Sequence, residues 1–477
     1  MSDPRDRIDD WLNADVEPLA PRPGTFGKIQ QRAHRRKIGR AVMSAAGIVI
    51  VIAAAATVPQ IAGTLRSHGP SQGQPVAAGT HPVQVQPTVT GTGGGSPNSR
   101  SSAEVTPSGS ALSAAGSGSF VPANFQPTSV TFVGRNIGAV IGQAGTPGHC
   151  ATPNCTSLAG TSDYGTNWYG VSAPLTGAPD GSTGVGQVRF LNTTFGWAFG
   201  PQLYATTDGG ANWTRQSTHG MRVTDLETAG DHAFALFATC TGGGAAYGAH
   251  CTAFSLYTSV AGSGQWQPVP GPVSSLVEPS QTGAGGASAS LVLAGGRGYL
   301  LAPSGELLGG PLTGGAWSVV GEQEQCLPGS PGPDGQPTGA LLAADSAELV
   351  LVCTSATDST TGTQTKSVIE SSDNGKTWSA AQSADVTGIA TSVATQGSSL
   401  VVLATDAGLY LSTDGGGTWK LAQASPARAA AGEGGYSYVG MTSAADGVAL
   451  PADADLHEVF ITTDGGRAWQ AHPVSRA

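Results

Sequence analysis

The sequence predicts an all-β repeat domain over residues 120–477, preceded by a single membrane-spanning helix and a disordered linker. Three observations carry the domain. A short box of Asp, Gly and Trp recurs five times. Tryptophans recur at intervals of 41 to 61 residues, the spacing of a repeat architecture built from small sheets. Between them run short apolar segments cut by Gly and Pro, with few helical patterns, as expected of many short strands.

The boxes span Thr161–Trp168, Thr206–Trp213, Ser371–Trp378, Ser412–Trp419 and Thr462–Trp469. Each sets Ser or Thr two residues before an Asp, Gly two after it and Trp five after it. The Asp, Gly and Trp are Asp163, Gly165 and Trp168; Asp208, Gly210 and Trp213; Asp373, Gly375 and Trp378; Asp414, Gly416 and Trp419; Asp464, Gly466 and Trp469. Asp-x-Gly is turn chemistry, because the carboxylate accepts backbone N–H groups and Gly takes positive φ freely. An apolar run precedes each box, as in Leu203–Ala205 and Gly408–Leu411. Each box therefore reads as the tip of a β-hairpin whose Trp packs back into the sheet. The acids are read as structural, since a calcium loop needs several oxygen ligands at alternating positions, which the boxes do not offer.

These residues resemble the Asp-box, or BNR repeat, of the propellers of sialidases, sortilin-like receptors, some glucanases and photosystem II assembly factors. The resemblance covers about residues 120–477. It implies a β-propeller in which the box joins the two outer strands of a blade, away from the central ligand-binding region, so it supports a fold more than an activity. Trp266 and Trp317 sit where two further boxes would fall, both without the Asp. Seven blades are expected, and the weak pattern between Gly271 and Ser290 leaves six and eight open. Blade 2 reads as strands Gln187–Leu191, Phe195–Phe199 and Leu203–Thr206, with Trp213 opening the fourth. Blade 6 repeats it with Leu400–Ala404, Leu409–Ser412 and Trp419–Leu421.

Ahead of the repeats, Ala41–Val58 is an uncharged apolar run that approaches the roughly 20 residues needed to cross a bilayer. Arg32, Arg35, Arg36, Lys37 and Arg40 precede it and the next charge is Arg66, so the positive-inside rule keeps the N-terminus cytoplasmic. The expected order is a cytoplasmic basic tail (1–37), a transmembrane helix (38–60), a Gly/Ser/Pro/Thr-rich disordered stalk (61–119) and the repeat domain. A cleaved signal peptide is the rival, with Ala53–Ala56 as its small-residue site; a leader of about forty residues is long for one. The stalk has too little apolar surface to fold. It would span about 40 Å as a flexible chain.

Residues 1–40 carry a formal charge of +3 and the remainder −13, against −10 overall. An acidic outer domain excludes nucleic acid, which needs a basic footprint. All six cysteines lie in the repeat domain, with local pairs Cys150/Cys155, Cys240/Cys251 and Cys326/Cys353 the simplest of the 15 connectivities. Disulfides imply an oxidising, extracytoplasmic setting, so the protein is expected at the plasma membrane as a single-pass protein with the repeat domain outside. His149 and His250 adjoin cysteines without zinc-site spacing, and neither a metal nor a cofactor is expected.

A sialidase would need an Arg-Ile-Pro motif, three arginines and a Tyr–Glu pair. The motif is absent, and Glu433 near Tyr436 and Tyr438 is the one suggestive grouping. A glucanase would need two opposed carboxylates, a distance that sequence does not supply. No nucleophile elbow, His-Glu-x-x-His or phosphate loop occurs, and no catalytic residue is assigned. Blade 2, from Val188 through Phe195–Gly200 to its box, is most similar to the assembly-factor propellers, which implies a non-catalytic binding scaffold for a protein or glycan ligand.

Three long connections between second and third strands, Ala144–Thr156, Thr241–His250 and Ala356–Thr365, are expected on the face opposite the boxes. Two of them carry local Cys pairs, and Tyr247 is the expected aromatic contact. Arg189, on a predicted inner strand, is a second ligand candidate, with pairing to a local carboxylate as its alternative; Trp197 reads as core. Two other functions stay open: a glycoside hydrolase, and a sensor that docks a cytoplasmic regulator through residues 1–37, where Ile8, Trp11 and Leu12 share one helical face.

Overall fold

The computed structural model describes residues 120–144, 156–177, 183–241, 250–274, 276–277, 289–302, 305–321, 337–355, 363–426 and 434–474, with Leu112 and Thr357. They form seven antiparallel sheets in chain order, each built from four consecutive strands. Blade 3 adds a short fifth strand, Leu276–Val277, against its third. The inner strands are Gln126–Val133, Gln187–Phe190, Arg222–Ala229, Ser290–Ala294, Pro337–Asp345, Ala390–Gln396 and Tyr436–Met441. Each packs beside the next, and the inner strand of blade 1 packs on blade 7, closing a seven-bladed β-propeller. The degenerate region of blade 4 thus does not change the blade number.

The core lies in the seams between blades. Trp197 and Phe199 of blade 2 pack with Leu226, Phe237 and Trp266 of blade 3, and Val130 and Phe132 of blade 1 pack with Val459 and Ile461 of blade 7. Because every blade keeps its own four strands, side chains rather than a shared strand close the ring. The Tyr164 hydroxyl donates to the Thr462 carbonyl (2.9 Å), and Arg135 pairs with Asp446 (3.3 Å).

A second repeat, absent from the sequence reading, shapes the inner strands. Each of five strands carries one extra residue opposite its partner: Thr128, Thr224, Thr338, Thr391 and Ser437. A β-bulge bends the strand and re-aims the residue that follows. The hydroxyls of Thr128, Thr224, Thr391 and Ser437 donate to the opposing second-strand carbonyls of Ile141, Leu236, Ala404 and Leu450 at 3.0–3.4 Å. In three blades the re-aimed residue reaches the next blade. Ser129 accepts from Val188 N–H (3.3 Å), Asp225 from Leu291 N–H (2.9 Å) and Ser392 from Val439 N–H (3.2 Å). Open inner edges are thereby satisfied between blades.

Strand boundaries fall within a few residues of expectation; the fourth strands of blades 2 and 6, Thr214–Arg215 and Lys420–Ala424, begin after Trp213 and Trp419 rather than at them. No helix among the described residues is long and apolar enough to cross a membrane. The tail, the apolar run at 38–60 and all of 61–119 except Leu112 lie outside those residues. Leu112 itself is fully buried in the seam of blades 1 and 2, and its carbonyl accepts from the Tyr169 hydroxyl.

Candidate functional site

Arg189 comes from the four-residue inner strand of blade 2, and its side chain is buried. Its Nε donates to Glu227 of blade 3 at 3.1 Å, while its Nη1 donates to Ser129 of blade 1 (3.2 Å) and to the Val188 carbonyl (2.7 Å). Of the two readings of Arg189, pairing with a carboxylate is the one the structure bears out. Asp225 and Glu227, two apart on one strand and hence on one face, flank it from blade 3. The phenol of Tyr438, from the inner strand of blade 7, is near enough to feel both Arg189 and Glu227.

All four side chains are buried. Burial raises Asp225 to about 7 against the pull of the Leu291 N–H and Arg189. It raises Glu227 to about 8, with Arg189 opposing and Asp225 adding to the rise. Burial pulls Arg189 down, but Glu227, Tyr438 and Asp225 outweigh it and hold the guanidinium above its usual value. Arg189 Nη2, Asp225 Oδ1 and the Tyr438 hydroxyl have no hydrogen-bond partner among the described residues. The cluster brings together four consecutive blades (7, 1, 2 and 3), with an ion pair between blades 2 and 3, a hydroxyl from blade 1 and a phenol from blade 7, all buried. Chemically it can hold a proton and lock inner strands together.

Sequence reasoning missed Asp225, Glu227 and Ser129. A signal existed: two acids at alternate positions of the strand Arg222–Ala229 need a cation or hydrogen-bond donors once buried. Their partner is 38 residues away in sequence, in another blade, and no local pattern identifies it.

The boxes are turns, as expected, with a larger part for the Ser or Thr. In blade 2 the Thr206 hydroxyl donates to Asp208 Oδ1 (2.8 Å) and accepts from Gly210 N–H (2.9 Å). Asp208 also accepts from the Asn212 backbone (2.9 Å) and side chain (2.7 Å). The other four boxes repeat the hydroxyl–carboxylate contact and the bond to the Gly N–H. Bonds from Thr377 and Thr418 hold Asp373 and Asp414 down at about 2. Burial nudges Asp163, Asp208 and Asp464 up, but their turn bonds prevail and all three stay lowered.

Four of the five box tryptophans pack less deeply than expected, while Trp469 is buried. Trp168, Trp213, Trp378 and Trp419 are half-buried, whereas Trp266 and Trp317, which lack a box, are buried. The indoles of Trp378, Trp419 and Trp469 donate to the carbonyls of their own box glycines, which keeps them near the turn.

Cys240 and Cys251 form a disulfide, but they sit on facing positions of the second and third strands rather than in the loop. Cys353, on the second strand of blade 5, is disulfide-bonded. Cys150, Cys155, Cys326 and Tyr247 lie outside the described residues, as does most of each long connection. No group of His, Cys, Asp or Glu among the described residues is arranged to hold a metal.

A BNR/Asp-box repeat family model matches residues 410–421, the third strand and box of blade 6. No curated protein matches the chain. Among solved structures, the chain is similar to YCF48 from Cyanidioschyzon merolae, at 12% identity over 61% of this chain and 85% of that one, with a TM-score of 0.39. It is similar to YCF48 bound to D1 peptide, at 14% identity over 60% and 79% with a TM-score of 0.39. It is also similar to a GH74 enzyme from Niastella koreensis, at 14% identity over 73% and 66% with a TM-score of 0.36. With seven sheets closed into a ring, the chain is a seven-bladed β-propeller, and five of its blades carry box turns closed by the same bonds, one of them matched by the BNR/Asp-box repeat model.

Proposed function

We propose that the protein is a non-catalytic binding scaffold, anchored in the plasma membrane by one helix at 38–60, with its propeller outside the cell on a stalk. The ligand is an extracytoplasmic protein or glycan, met by the face that carries the connections between second and third strands. One observation carries the reading. The Cys240–Cys251 disulfide joins facing residues where the connection holding Tyr247 leaves the sheet. A bond there favours an oxidising compartment, and it limits the entropy lost when a long loop is ordered for binding. The other end of the blades is occupied by boxes whose polar groups serve their own turns. The strongly perturbed axial acids are tied between blades, which supports a structural part for them rather than turnover.

The test is capture from the native cell envelope with the full-length chain. A stable partner lost in Tyr247→Ala, and weakened in the Cys240→Ser/Cys251→Ser pair, supports the reading. Glycoside turnover by the same preparation overturns it in favour of an enzyme. A change in transcription on deleting residues 8–16, with capture unchanged, favours the sensor. Protease treatment of intact cells is expected to remove the propeller and spare the tail, and a mature protein beginning near residue 57 would sink the anchor.

A further inference from the structure

The seam between blades 3 and 4 differs from its neighbours. Elsewhere the box turn of one blade folds onto the blade before it. A Cβ added at Gly210 would meet Val171 at 2.9 Å, at Gly416 Val368 at 3.0 Å, at Gly466 Val402 at 3.2 Å, and at Gly375 Val320 at 3.1 Å. Gly165 would meet Ile461 of blade 7 at 2.5 Å. In blade 4 the corresponding residue is Gly314, three before Trp317 as Gly210 is three before Trp213. Leu312 stands where the Asp would be, and it points into the core rather than closing a turn. A Cβ at Gly314 would meet nothing within 4 Å. Blade 3 has also lost its acid, with Ala261 five residues before Trp266. At this seam a cleft of 340 Å³ lies between the outer strands of the two blades.

We infer that this cleft is a binding site for a neutral saccharide, a site separate from the face proposed above. Its volume falls at the small end of ligand pockets and suits a mono- or disaccharide. Its chemistry is of two kinds. The floor is apolar, with Val260, Pro270 and Pro311 reaching its surface above the buried Phe234 and Trp317. The rim offers the hydroxyls of Ser263 and Thr313 and the amides of Gln265 and Gln267, all exposed. Among the described residues no Asp, Glu, Lys or Arg lines it, and the one imidazole in the lining, His232, is already engaged at Nδ1 by Asp231. A phosphate, carboxylate or ammonium would therefore lose its water shell without a free countercharge. A pyranose fits both parts, because its C–H faces lie against the apolar floor and its hydroxyls exchange hydrogen bonds with neutral side chains. At the five box-bearing blades the turn glycine instead presses on the blade before it, at 2.5–3.2 Å from an added Cβ.

Calorimetric titration of the full-length chain with maltose, cellobiose and chitobiose tests this, with glucuronate and glucose 6-phosphate as charged controls. Saturable binding of at least one neutral disaccharide is expected. Gln267→Ala should weaken it about tenfold, the loss of one hydrogen bond to a neutral group. Ser263→Trp should abolish it by filling the cleft. Both positions are exposed, so melting curves matching the parent confirm that the fold survives. Absence of binding by all three neutral disaccharides overturns the inference. So does binding that survives Ser263→Trp, or tighter binding of a charged control.

Discussion

The rim and the axis of the propeller both rely on carboxylates, and they use them in opposite ways. At the rim each box Asp accepts bonds from residues within four positions of itself and is held below the usual carboxylate range. At the axis Asp225 and Glu227 are buried, reach blades 4 and 2, and are pushed up to about 7 and 8. The rim acids hold one turn; the axial acids hold neighbouring blades to one another. The same residue type therefore marks local structure in one place and ring assembly in the other.

Breaking the axis should have the largest effect. Above about pH 8, where Glu227 gives up its proton, Arg189→Met leaves it buried without its cation, and the loss of a buried pair's partner costs about 3–5 kcal/mol. The denaturation midpoint should fall accordingly. Arg189→Met combined with Glu227→Leu should recover part of that loss, since both buried charges are then gone. If the single variant unfolds no earlier than a box variant, the axis is no more important than the rim.

The pH dependence separates the two regions next. Asp225 and Glu227 keep protons to higher pH in the folded state than in the unfolded chain. Their stabilisation is complete below about pH 4 and is lost as pH rises through about 7 to 8. The box acids run the other way. Their stabilisation is present above about pH 4 and is lost as pH falls towards 2. The melting temperature should therefore peak in mildly acidic solution and decline on both sides. Asp225→Asn with Glu227→Gln should flatten the alkaline decline alone. An unchanged alkaline limb would remove the axial acids from the account.

The contrast also explains what the sequence could disclose. Box chemistry is confined to eight residues, so Asp208, Gly210 and Trp213 announce their turn in one line of sequence. Two indoles that lack the box, Trp266 and Trp317, still marked their blades correctly. The axis was half visible. Arg189 stood out as a charge in an apolar strand, but Glu227 is its partner only because blades 2 and 3 are adjacent in a closed ring. The bulges were hidden because Thr128, Thr224 and Thr391 act through carbonyls on facing strands, and a single Thr in a strand is ordinary β composition. The cleft at blades 3 and 4 was hidden for a different reason. Missing acids were legible, but the space at that seam depends on how the neighbouring blade packs.

At the rim the effects are smaller. Asp208→Ala leaves the Thr206 hydroxyl and the Asn212 N–H without their acceptor and should cost about 1–3 kcal/mol, less than the break at Arg189. It should leave ligand capture intact, because the Asp208 carboxylate serves only its own turn. A folded variant that fails to capture would reverse the division between rim and binding face.

The smallest expected difference lies between two glycines of the rim. Gly210 and Gly314 hold similar positive φ values of 89° and 95°, so Ala strains the backbone about equally at each. Only at Gly210 does the new methyl also press on Val171, at 2.9 Å, in a closed seam. Gly210→Ala should therefore destabilise the propeller by about 1 kcal/mol more than Gly314→Ala, the lower end of overpacking penalties. Paired denaturation curves measure the difference directly. Equal losses would mean that the seam between blades 3 and 4 is as tightly closed as that between blades 1 and 2. That seam would then hold no usable space, and the saccharide cleft would fall with it.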